Sequence, residues 1–159
     1  MFIISDIKST IGNYKDNRFN GLFETAAEIL VHRSDFLHVL KTVGKPNRKL
    51  QAVEADLNSK EIVTMLMALG LIYMKITGPY WNLITSGDIA YLELYPHIQK
   101  LHKYLENICE RPELLAVTDD LPWHVEEFSC NVEERFYQQM KSTETNNTLL
   151  LKAIQTMAM

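Results

Sequence analysis

The chain has 159 residues, of which 47% are apolar, 23% charged and 9% aromatic, enough for one domain with a real core and too apolar for a disordered chain. Six Gly, five Pro and two Cys exclude collagen-like sequence, a disulfide scaffold and a four-thiolate metal site. The formal net charge of −4 excludes a uniformly basic nucleic-acid binder but leaves room for a local basic patch.

The first residues, Met1 to Lys8, place no basic leader before their short apolar run and offer no small-residue cleavage site, so a secretory signal is not expected. From Phe19 the apolar residues Leu22, Phe23, Ala26, Ala27, Leu30 and Val31 recur at helical spacing and predict an amphipathic helix. Ser34 is the expected N-cap of a second helix carrying Phe36, Leu37, Val39, Leu40 and Val43, stopped by Gly44 and Pro46. Leu50, Val53 and Leu57 mark a third, short helix.

Asn58 and Glu61 have the spacing of a capping box, opening a long helix with Ile62, Met65, Leu66, Leu69, Ile72, Tyr73 and Ile76 as its apolar residues and Gly78-Pro79 as its end. This segment is apolar on most of its circumference, which predicts the central helix of a bundle. Lys75 interrupts its apolar run, so no stretch reaches the roughly 18 to 20 apolar residues that cross a bilayer, and a soluble chain without a membrane partner is expected. Pro79 suits the first position of a further turn or two through Ile84, and Ser86-Gly87-Asp88 reads as a turn.

Leu92, Leu94, Tyr95, Ile98, Leu101, Leu105, Ile108 and Cys109 give the apolar face of another long helix, closed by Pro112. Residues 116–131 hold Pro122 and paired acids and read as an irregular connection pinned by Trp123 and Phe128. Two last helices follow, near 132–141 and 145–157, the second with Leu149, Leu150, Ala153, Ile154 and Met157 on one side. The expected architecture is all-α: a single-domain irregular bundle of six to eight helices. It comprises an N-terminal extension (1–16), a main helical domain (17–115), the connection (116–131) and a C-terminal helical pair packing on the main domain (132–159).

Catalytic and metal chemistry find little support. His97 and His102 are five apart and so about 140° from one another on a helix. Cys109 lies seven further on, and no Cys-x-x-Cys or His-x-x-x-His exists, so neither metal nor cofactor is expected. His32 follows Glu28 by four, the spacing of an ordinary helix pair. The acid pairs Asp119-Asp120, Glu126-Glu127 and Glu133-Glu134 are sequence neighbours, which diverge by about 100° on a helix rather than converging on two metals. A thiol nucleophile at Cys109 or Cys130 has no supporting local signature.

Charge is more informative. Residues 1–80 carry ten basic and eight acidic side chains, and residues 81–159 carry six and twelve. Lys41, Lys45, Arg48 and Lys49 occur without an intervening acid around a helix end. One reading is stabilisation of the negative end of a helix dipole; the other is a small phosphate-contacting patch. The aromatic cluster Tyr80, Trp81, Tyr91 and Tyr95 fits either a packed corner or a base-stacking surface.

The strings Asp16-Asn17-Arg18-Phe19-Asn20-Gly21-Leu22-Phe23, Ala52-Val53-Glu54-Ala55-Asp56-Leu57, Ala68-Leu69-Gly70-Leu71-Ile72 and Thr77-Gly78-Pro79-Tyr80-Trp81 resemble a helical region of transposon-derived proteins of animals. That region is similar to the helical insertion of RNase H-like transposases of the hAT type. The resemblance covers roughly residues 12–115, with a weaker echo near 149. It implies a helical element that packs on a catalytic core, helps contact transposon DNA and supports subunit contacts. The catalytic acids would belong to that core, and none transfers to a position in this chain. Asp6, after Phe2-Ile3-Ile4-Ser5, is the sole strand-plus-acid candidate, and no zinc-finger reader is present. The expectation is a non-catalytic, intracellular module, nuclear or cytoplasmic, with nucleic acid as its partner. A second reading is a protein-binding or self-associating adaptor using an apolar stripe on the Leu- and Met-rich last helix. A small metal-dependent nuclease is the third.

Overall fold

The computed structural model describes residues 20–42, 47–85, 90–116 and 133–159. These form an all-α helical bundle, and no strand occurs among the described residues. The expected extension, most of the connection, the Ser86-Gly87-Asp88 turn, Phe19, Val43, Gly44, Lys45, Pro46, Asp119-Asp120, Glu126-Glu127 and Cys130 lie outside the described residues.

Helix α1 (Asn20–Val31) buries Ala26, Ala27, Leu30 and Val31 as its periodicity predicts, whereas Leu22 is exposed. A single turn residue, His32, separates α1 from α2 (Arg33–Thr42). Ser34 is therefore not a cap: it lies inside the first turn of α2, because His32 keeps both helical bonds, its amide donating to Glu28 O at 2.9 Å and its carbonyl accepting from the Phe36 amide at 3.0 Å. Helix α3 (Arg48–Asn58) opens on Asn47, whose side chain accepts from the Leu50 amide at 3.0 Å. Arg33 Nε donates to the Leu57 carbonyl at 2.6 Å, tying the start of α2 to the last turn of α3, where a cation suits the helix dipole. The two helices make a hairpin at the edge of the bundle. Leu57 is the one buried residue of α3, and α2 buries none.

The capping box moves by one residue. Ser59 caps α4 (Lys60–Ile72), accepting from the Ile62 amide at 3.3 Å, while Asn58 turns back and donates to Glu54 O at 2.8 Å, closing α3. The helix does not stop at Gly78-Pro79 either. It passes through a π-turn (Tyr73–Thr77) into α5 (Gly78–Thr85), with the Gly78 amide bonded to Tyr73 O. Proline in an α-helix lacks one donor and collides with the carbonyl four residues back. The wider turn carries an extra residue and relieves that collision.

The resulting helix, Lys60–Thr85, is long and apolar enough to cross a membrane, contrary to the interruption expected at Lys75, but 67% of its most apolar window is covered by the rest of the chain. Lys75 itself is 0% exposed, the largest fully buried side chain, and like the buried Glu28 it has an interaction partner, as a charge inside a core requires.

Helix α4 is central as predicted, and of the expected apolar residues Ile72 and Tyr73 are buried, but the buried face is only partly the predicted one. Val63, Thr64, Met67, Ala68, Gly70, Leu71 and Ile72 are inside, while Ile62 and Met65 are exposed. The reason is steric. α1 packs against α4 at Gly70, which lets the backbones approach: a Cβ on Gly70 would stand 3.3 Å from Ala27 Cα and overlap the Phe136 ring.

After a 3-10 turn (Tyr91–Glu93), α6 (Leu94–Glu110) buries Tyr104 and Ile108. Leu92, Tyr95 and Ile98, expected on its apolar face, are exposed. A short α7 (Glu113–Ala116) contributes Leu115 to the core. The final pair, α8 (Glu133–Ser142) and α9 (Asn147–Ala158), shares one continuous core with α1, α4 and α6 through Phe136, Leu150, Ala153 and Ile154. Polar ties fix it. The Asn146 amide donates to Thr64 Oγ1 at 3.2 Å, Gln155 Nε2 donates to Cys109 O at 2.8 Å, and Lys60 pairs with Glu144 at 2.6 Å. The Lys60 ammonium holds the exposed Glu144 carboxyl below the usual carboxylate range.

Candidate functional site

Of the four expected basic residues, Lys41 lies in the last turn of α2, Arg48 and Lys49 form the first turn of α3, and Lys45 is outside the described residues. All three described cations are exposed, and no ion pair found among the described residues engages them. Of these three, only Lys41 fits the dipole reading. Arg48 and Lys49 sit at the positive end of α3, where a cation is disfavoured by about 0.3 to 1 kcal/mol. Their amides precede Leu50, whose N–H is taken by Asn47, so backbone donors and side-chain cations share the tip of the hairpin. That end of a helix, with added positive charge, is chemically suited to phosphate oxygens.

The other candidates are dispersed. His32 Nδ1 is 3.3 Å from Asp35 Oδ2 and its ring meets Phe36 edge-on. His102 faces Glu106 one turn on at 3.6 Å, and Cys109 is a half-buried free thiol. Glu134 is exposed and accepts from Gln138 at 3.2 Å. No group of three or more His, Cys, Asp or Glu among the described residues is placed to hold a metal ion.

Tyr80 and Trp81 do not simply fill a corner. With Asn20, Phe23 and Thr77 they line a half-open pocket of about 340 Å³ between the start of α1 and the π-turn. A second, nearly all-apolar cavity of about 180 Å³ shares Phe23 and Thr77 and extends to Ile108, Ile154 and Met157. Asn20 is 6% exposed, and its Oδ1, like Thr77 Oγ1, has no hydrogen-bond partner among the described residues. Tyr95 is 63% exposed and lines neither cavity, and the Tyr91 side chain lies outside what is described. Asn20 and Thr77 were not singled out from sequence as chemical groups. The signal available was Asn20 standing three before Phe23 and seven before Ala27, a polar residue at a position of the core-facing stripe.

Comparison with protein-family models, with curated proteins and with solved structures finds no match to this chain.

Proposed function

We propose that the chain is a non-catalytic, intracellular helical module, derived from a transposase-like protein, that contacts nucleic-acid phosphates through the tip of its α2–α3 hairpin. Lys41, Arg48 and Lys49 make the contact, with Lys45 as a fourth cation by sequence. The observation that supports this reading is the placement of Arg48 and Lys49 in the first turn of α3 without an acidic partner among the described residues. There they oppose the helix dipole, so helix stabilisation does not explain them. The exposed Lys41, Arg48 and Lys49 side chains are open to a large ligand.

The test is duplex binding by anisotropy at 50 and 200 mM salt. Four phosphate contacts correspond to a loss of roughly a hundredfold in affinity over that range, and the Lys41, Lys45, Arg48 and Lys49→Gln variant should bind weakly with a nearly flat salt slope. Unchanged retention of the variant at low salt would exclude the patch.

A second reading, the protein-binding adaptor, has one observation in its favour, and it is not the last helix. The apolar face of α9 is occupied by the core, with Leu150, Ala153 and Ile154 buried. Instead Leu92, 85% exposed, with Tyr95 and Ile98, lines the entry to α6 at spacing i, i+3, i+6. If this stripe mediates self-association, sedimentation will show a concentration-dependent dimer that Ile98→Glu removes. A strict monomer at high concentration counts against it.

A further inference from the structure

We propose that the exposed face of α3 docks a second copy of this chain, the two α3 helices packing antiparallel about a two-fold axis beside Val53, with Lys49 of each copy against Asp56 of the other. The proposal goes beyond the phosphate-contacting reading and does not rest on it.

The charge pattern of α3 is inverted with respect to its own dipole. Its first turn holds Arg48 and Lys49 and no acid, and its last turn holds Asp56 and no base. A cation near a helix N-terminus and an anion near its C-terminus each face a partial charge of their own sign. Lys49 and Asp56 cannot relieve one another within the helix, because they lie about 10 Å apart along its axis. Both residues are exposed, and none of the ion pairs found among the described residues engages either.

A second α3 running the opposite way corrects both mismatches. The first turn of one helix then lies beside the last turn of the other, so Lys49 meets the Asp56 carboxylate of the second copy and the negative end of that helix together. The spacing closes both pairs at once. Lys49 stands four residues before Val53 and Asp56 three after it, so an axis beside Val53 makes two equivalent contacts, as an isologous dimer requires.

The three residues also share a face: at 100° per residue, Lys49, Val53 and Asp56 fall within about 60° of one another around α3. Val53, 45% exposed, puts an apolar side chain between the two charges at the centre of the contact. Arg48 lies about 100° round from Lys49 and is not needed for it. An acidic partner would match Lys49 but repel Asp56, and a basic partner the reverse. A partner presenting both charges in reversed order at this spacing satisfies both, and the chain itself is such a partner.

Sedimentation velocity on the full chain, cleared of nucleic acid with nuclease and held at about 50 mM salt, tests the proposal. The unaltered chain should dimerise weakly as its concentration rises, and added salt should weaken the dimer. Lys49→Asp and Asp56→Lys each set like charges against one another at both contacts and should weaken it about ten- to a hundredfold. Each also gives one end of α3 the sign its dipole favours, so neither should lower the thermal midpoint. Mixed in equal amounts, the two variants should dimerise again. The acid introduced at 49 then meets the base introduced at 56, and the unaltered Asp56 of one chain meets the unaltered Lys49 of the other. Asp56→Lys leaves every cation of the hairpin tip in place, so its effect on the dimer is not an effect on phosphate contact. A strictly monomeric unaltered chain at about 1 mM overturns the proposal, as does a mixture that stays monomeric or a dimer that survives both single substitutions. A dimer lost with Ile98→Glu and kept with Asp56→Lys assigns the contact to α6 and overturns it too.

Discussion

Replacing Gly70 with Ala is expected to destabilise the fold by about 2 to 3 kcal/mol, although the same change at an exposed helical position would stabilise it by nearly 1 kcal/mol. The added methyl would overlap the Phe136 ring, standing 2.8 Å from its Cζ, and would press on the Ala27 backbone at 3.3 Å. Neither neighbour yields easily. Ala27 Cα belongs to α1, and the Phe136 ring is fully buried and held edge-on by Tyr137 at a centroid distance of 5.6 Å. Urea unfolding should show a lower midpoint with an unchanged slope, and the thermal midpoint should fall by roughly 5 to 10 °C. Because the collision involves one identified ring, Phe136→Leu in the same chain should return part of the loss. A double-mutant cycle should give a coupling of about 1 kcal/mol or more. If the midpoint does not move, α1 and α4 do not approach as closely as described.

Ile154→Ala is expected to cost about 3 to 4 kcal/mol, toward the upper part of the range for such truncations. Ile154 is fully buried on α9 and already borders the cavity of about 180 Å³, so the space it vacates merges with existing space instead of closing. The loss is a large fraction of the 5 to 15 kcal/mol that holds a domain together. The variant also distinguishes an appended C-terminal pair from an integral one. If α8 and α9 were an accessory layer, Ile154→Ala would loosen them alone and leave slow amide exchange in α1 and α4. The shared core predicts that protection in α4 falls by a similar factor. Persistence of full α4 protection would show the two parts to be energetically separate.

Much of the fold was legible because amphipathic periodicity is a local property. The helices around Leu30, Leu57, Ile72, Ile108 and Ile154 were each marked by their own spacing and by polar or Gly and Pro residues at their ends. What failed was non-local. Helix α4 is apolar nearly all round, so no periodicity selects its inner face; the choice falls to Gly70, whose value lies in what Ala27 and Phe136 do across the interface. The Gly78-Pro79 stop failed since a wide turn accommodates proline, a solution that leaves no compositional trace. Ser59 displaced Asn58 as the cap because Asn58 finds an acceptor behind it in Glu54 O.

The candidate site divides in the same way. The clustering of Lys41, Arg48 and Lys49 was visible in the sequence, but the sign of the dipole beneath each depends on where α2 ends and α3 begins, which Asn47 decides. Asn20 and Thr77 are 57 positions apart by number, and only the packing of α1 on the π-turn brings them to one cavity.

The π-turn also sets an azimuth. Each residue of an ordinary helix advances about 100° around its axis, and the wide turn between 73 and 77 takes up one residue more than the regular ladder would. Everything after it is therefore out of phase with α4 by about that angle. Tyr80 and Trp81 look toward Asn20 and Phe23 by virtue of this offset, so a side chain's bearing at one end of the bundle is governed by winding several residues upstream.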